Sequence, residues 1–68
     1  MIRIEESYAP LIVGFERRRY GNTTMTWAYV KLNGEWISLG DPWPCVVPKK
    51  DEVMKEIGRA IHETNHAN

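Results

Sequence analysis

Residues 25–39 read MTWAYVKLNGEWISL, and the Asn33-Gly34 pair within them decides the fold. A two-residue type I′ turn needs positive φ at both central positions, which asparagine and glycine tolerate best. Placing that turn sets the register of its flanking strands. Leu32 faces Glu35, Lys31 faces Trp36, Val30 faces Ile37, Tyr29 faces Ser38 and Ala28 faces Leu39. Strand side chains alternate between two faces. Ala28, Val30, Leu32, Ile37 and Leu39 therefore form an aliphatic face. Trp27, Tyr29, Lys31 and Trp36 form the opposite one, which is aromatic and basic.

Upstream, Leu11 to Arg19 (LIVGFERRR) reads as a second strand, and Tyr20-Gly21-Asn22-Thr23 as turn material. With Gly21-Asn22 in the turn positions, Phe15 faces Ala28, Val13 faces Val30 and Leu11 faces Leu32. These apolar residues land on the face already marked as core by the Asn-Gly hairpin. Two turns read independently agree, whereas a slip of one residue would turn every side chain over. The same register puts Ile12, Gly14, Glu16 and Arg18 on the far face. Arg17 and Arg19 fall on the core side near the sheet's open end, where they could snorkel to water.

Ile2 and Ile4 alternate with Arg3 and Glu5, the pattern of a short edge strand. Asp41-Pro42-Trp43-Pro44 excludes regular sheet and predicts a stiff, extended crossover, with Val46-Val47 as a candidate short strand. Val53, Met54, Ile57, Ala60 and Ile61 recur at helical spacing and predict a helix from about Lys49 to about Glu63. Pro48 suits its first turn, Asp51 and Glu52 complement its dipole, and Asp51-Lys55 is a favourable i,i+4 pair. Gly58, beside the stripe, suggests close approach of the sheet or of Trp43.

The chain has 68 residues, with nine basic and nine acidic side chains and a formal net charge of zero. That length predicts one domain spanning residues 1–68. Charge balance argues against a general nucleic-acid binder, which carries a basic excess, though it leaves room for a local basic patch. Cys45 is the one cysteine, so no internal disulfide or cysteine-based zinc site is expected, and a cytoplasmic location is the natural reading. The N-terminus lacks the layout of a signal peptide, and no uncharged run is long enough for a membrane span.

Four groups of residues are candidates for function. The first is the far face, with Arg18, Trp27, Tyr29, Lys31 and Trp36. Aromatic rings beside cations are enriched at protein–protein hot spots, and they can also stack bases while the cations meet phosphates. The competing structural reading is a second, smaller core covered by residues 1–10 or by Pro42–Pro48. The second candidate is Arg17-Arg18-Arg19-Tyr20, which could grip phosphate or an acidic surface but also reads as a solvated strand end. The third is HETNH at His62–His66, which matches the H-E-x-x-H signature of zinc metalloproteases. It departs from that family in its polar Thr64 and Asn65 and in lacking a third ligand, so no metal site and no cofactor are expected. The fourth is Cys45, read as a small hydrophobe rather than a nucleophile.

The segment Trp36–Ile61, WISLG followed by an amphipathic helix, is similar in pattern to the end of plant AP2 domains and phage integrase arm-binding domains. That resemblance implies a sheet entering the major groove with a helix behind it. The Asp-Pro-Trp-Pro crossover and zero net charge depart from it.

The sequence thus predicts an α+β domain. A three-stranded antiparallel β-meander, to which a short N-terminal edge strand could be added, packs on one C-terminal α-helix. The expected role is non-enzymatic binding of a protein partner through the far face or a sheet edge, with no membrane partner. By analogy alone, small domains of this kind serve as regulators or inhibitors, among them those carried by phages and other mobile elements. Nucleic-acid binding by the same face is the alternative, and a zinc-dependent hydrolase built on HETNH is the weakest reading.

Overall fold

Both turns form at the positions the sequence marks. Asn33 and Gly34 have φ of 52° and 80°, positive at both positions as type I′ requires. In the other turn Gly21 has φ of 62°, while Asn22 is not in the positive region. Glycine first with a positive φ is the type II′ arrangement. The computed structural model describes residues 1–66, with only the backbone of His66.

The elements are β1 (Arg3–Ile4), a 3₁₀ turn (Glu6–Tyr8), β2 (Val13–Tyr20), β3 (Thr23–Leu32), β4 (Glu35–Ser38) and α1 (Lys50–His66). The strands form one antiparallel meander in the order β1-β2-β3-β4. The sheet is thus four-stranded, because the Ile2–Glu5 segment does pair as an edge: Arg3 lies opposite Phe15 and Ile4 opposite Gly14. Val13 faces Val30, Phe15 faces Ala28, Val30 faces Ile37 and Lys31 faces Trp36, the register required by the two turns. Tyr20 and Thr23, expected in the first turn, pair with each other instead. A two-residue turn leaves its flanking residues in the ladder.

The aliphatic face packs on α1. Val13, Phe15, Ala28, Val30, Leu39, Val53 and Ile57 are buried together, and Tyr8 closes one side. Leu11, Leu32, Ile37, Trp43, Ala60 and Ile61 pack around them. Each fully buried aliphatic or aromatic side chain contributes about 1.5–3 kcal/mol. Met54, expected in the helical stripe, is instead 40% exposed.

The helix starts one residue later than predicted and continues three residues past Glu63. The Lys49 carbonyl accepts from the Glu52 and Val53 amides, so Lys49 is the last residue outside it, and Pro48 precedes it as a buried residue. The Asp51 carboxylate accepts from the Glu52 amide at 3.0 Å. Glu56 and Arg59 form an ion pair on this helix at 3.7 Å, whereas Asp51 and Lys55, both described, form none. Lys50 Nζ donates to the Ser7 carbonyl at 2.6 Å and lies 5.2 Å from the Tyr8 ring centroid. The helix start is thereby tied to the 3₁₀ turn.

Gly58 is exposed, and a Cβ built on it meets nothing within 4 Å. No close approach requires it. Glycine inside a helix costs about 1 kcal/mol relative to alanine. Gly58→Ala is therefore expected to stabilise the fold by about 1 kcal/mol, raising the thermal midpoint by roughly 4–8 °C. A lower midpoint in a melt followed by circular dichroism would show that this glycine has a packing role.

The crossover does not cover the far face. After a turn at Gly40 (φ 97°), Trp43 exchanges both backbone hydrogen bonds with Thr26, each 2.8 Å. Thr26 is fully buried on the core side, and its hydroxyl donates to the Cys45 carbonyl at 2.5 Å. Arg17 Nε donates to the Val46 carbonyl at 2.6 Å. Val46 and Val47 form no strand and are 55% and 70% exposed. Thr26→Val keeps the shape but strands the Cys45 carbonyl without its donor. The expected loss is about 1–2 kcal/mol, read from the denaturant midpoint. An unchanged midpoint would mean that the Trp43 backbone pair and Arg17 hold the strap without the Thr26 hydroxyl.

Candidate functional site

Strand parity and register assemble the far face row by row. Arg18 stands opposite Met25, Glu16 opposite Trp27, Gly14 opposite Tyr29, and Lys31 opposite Trp36. All five residues singled out from sequence, Arg18, Trp27, Tyr29, Lys31 and Trp36, therefore lie on one face. Trp27, Tyr29 and Trp36 are half-buried, whereas Arg18 and Lys31 are exposed.

Gly14 gives this face its relief. It is buried, and a Cβ added there would lie 3.2 Å from the tip of the Trp36 ring and would collide with Ile2. Trp36 thus leans across β3 into a slot over the β2 backbone, with Ile2 on the other side. The N-terminal segment covers part of the far face, as the second-core reading expected, but leaves both indoles partly open. Neither Trp27 nor Trp36 donates its indole N–H to a protein acceptor, and among the described residues no buried side-chain polar atom lacks a partner. Both indole N–H groups are therefore open to solvent. Trp43 differs, since its Nε1 donates to Glu52 Oε1 at 3.4 Å.

The cations lie on the rings. The Arg18 guanidinium is 5.6 Å from the Trp27 ring centroid, and Lys31 Nζ is 5.3 Å from that of Trp36. At such distances a cation is attracted to the ring quadrupole, which holds the long side chains flat against the sheet. Glu16, in the middle of the face, accepts from the Met1 ammonium at 3.0 Å and lies 3.8 Å from Arg18. The ammonium, by hydrogen bond and by charge, holds the Glu16 carboxyl below the usual carboxylate range, helped by Arg18 and Tyr29. Burial, then the neighbouring Glu16 charge, pushes the Tyr29 phenol up.

The sequence reading placed Ile12 on this face without counting it in the site, and it missed Tyr20 and Ile4. Tyr20, Ile4 and Ile12 lie on this face by strand parity and are 57%, 60% and 45% exposed. Tyr20 stacks obliquely beside Trp27, ring centroids 6.5 Å apart. Its parity with Arg18 was the available signal, and its assignment to the turn hid it.

The arginine run does not act as a patch. Arg17 and Arg19 fall on the side opposite Arg18, where Arg17 binds the Val46 carbonyl and Arg19 Nε donates to the Gly21 carbonyl at 3.1 Å. Both hydrogen bonds are solvent-exposed and Arg19 itself is exposed, so these side chains reach water as expected while also binding backbone. Among the described residues no group of three or more His, Cys, Asp or Glu could hold a metal ion. His62 is on the exposed side of α1, and the His66 side chain lies outside the described residues. Cys45 is a free, partly buried thiol.

A second concave feature, a cleft of about 670 Å³, runs between α1 and residues 38–43. Leu39, Trp43 and Ala60 line its apolar part. Charges at its rim are partly matched within the protein, through Glu56–Arg59 and the Trp43–Glu52 hydrogen bond.

Comparison with known protein families, with curated proteins and with solved structures found no match. No described helix is long and apolar enough to cross a membrane.

Proposed function

We propose that this protein works by binding another protein through the far face of its sheet, as a regulator or inhibitor rather than a catalyst. The observation that carries this reading is the pair of indole N–H groups of Trp27 and Trp36, open to solvent, each ring overlaid by a cation. A buried indole normally finds an acceptor, and half-buried rings with free polar tips are what interface hot spots use. Exposed Ile4, Ile12 and Tyr20 extend the apolar surface around them.

Nucleic-acid binding has less support. A phosphate chain needs several cations in a line. Here Arg17 and Arg19 are turned to the other side, and the ionised Glu16 sits mid-face.

The test is capture from the organism that encodes the protein, with wild type and Trp36→Ala as paired baits. The expected result is a partner retained by wild type and bound about 2 kcal/mol more weakly by the variant, roughly thirtyfold. Equal retention by both baits would refute the assignment of this face.

A further inference from the structure

We infer that the far face is built for an acidic, apolar segment of a partner protein, one that brings carboxylates to Arg18 and Lys31. This inference rests on the proposed binding role of the face and adds the chemistry of the partner. The ring N–H groups and cations that the face offers to a partner are donors. They are the two open indole N–H groups, the Arg18 guanidinium and the Lys31 ammonium. Lys31 has no ion-pair partner among the described residues, and Arg18 has only a long contact, 3.8 Å, to Glu16.

Glu16 is the one carboxylate on this face, and it is already taken by the Met1 ammonium and the Tyr29 hydroxyl, the latter at 3.4 Å. The face therefore cannot neutralise its own cations when a partner strips their water. Burying an unpaired cation is costly, so a partner that covers the rings must carry acceptors opposite them. Geometry adds a spacing. Arg18 stands opposite Met25, and Lys31 is six residues further along β3, so the backbone positions that carry the two cations are roughly 20 Å apart along the strand, with the Arg18 guanidinium lying over Trp27. Trp27 and Tyr29 fill the interval, and Trp36 stands beside Lys31 at its end. The complementary segment thus has apolar side chains in its middle and a carboxylate towards each end. Such a pattern also excludes a second copy of this face, which would set cation against cation.

The test is selection from a displayed random-peptide library on the folded wild-type protein. Trp36→Ala and Arg18→Glu/Lys31→Glu serve as parallel targets, each checked for native circular dichroism. The expected result is enrichment of peptides rich in Asp, Glu and apolar residues. These should bind Trp36→Ala and the charge-reversed variant about tenfold or more weakly. Selection on the charge-reversed variant should instead enrich Lys and Arg. Peptides that require Trp36 but show no acidic excess would overturn the acidic partner and leave the binding face standing. No enrichment, or enrichment indifferent to Trp36, would overturn both. A fluorescent single-stranded oligonucleotide that binds wild type, with affinity falling steeply in salt, would overturn the acidic partner in favour of phosphate.

Discussion

Replacing Phe15 with alanine is expected to remove the cooperative unfolding transition or to lower its midpoint by about 15–30 °C. Phe15 is 2% exposed and meets the edge of Tyr8 with ring centroids 6.0 Å apart. The Arg17 guanidinium lies 5.4 Å from its ring centroid. Truncating a core phenylalanine costs about 3–5 kcal/mol. A chain of 68 residues holds only about 3–10 kcal/mol in total. The loss is thus comparable to the whole stability. It also reaches the crossover, because Arg17 both packs on this ring and binds the Val46 carbonyl. A thermal melt followed by circular dichroism reads the result. A drop of only a few degrees would mean that the core can close over the missing ring.

Gly14→Val should dislodge β1 from the sheet, at about 2–3 kcal/mol. The added side chain would enter the slot shared by Ile2 and Trp36. The two residues of β1 have little to hold them against that. The amide of Glu5 donates to the Val13 carbonyl at 2.8 Å, so its hydrogen-exchange protection reports directly on β1 docking. It should disappear in the variant while amides of β3 remain protected. Unchanged protection at Glu5 would show that Trp36, not Ile2, gives way. Partner binding would then change while the edge strand stayed in place.

The meander was legible because its turns are chemically restrictive. Asn33-Gly34 and Gly21-Asn22 allow few backbone solutions, and each fixes a parity that the other must satisfy. The far face followed from that parity, which is why Arg18, Trp27, Tyr29, Lys31 and Trp36 emerge together. What covers the face was not legible. Ile2 and Ile4 alternate correctly for an edge strand, but only the slot over Gly14 tells Ile2 where to pack. The path of the crossover was also hidden. Two prolines specify an extended chain without saying which side of the sheet it follows. Thr26, a polar residue among aliphatics in the alternation, is the residue that holds it there. The helix end ran past its last apolar position because backbone hydrogen bonds continue through residues with no face to bury.

The strap that Thr26 holds also closes an edge. β3 has ten residues and β4 only four, so much of the β3 backbone on that side has no strand beside it. The Leu39 amide bonds to the Ala28 carbonyl, and Trp43 bonds to Thr26 in both directions. Together they occupy the groups that would otherwise invite another chain to add a strand. Its prolines make the strap itself a poor template for further pairing. Loosening it opens a sticky hydrogen-bonding rim before the core gives way. Thr26→Val should therefore aggregate faster than wild type when both are held well below their melting midpoints, as followed by light scattering.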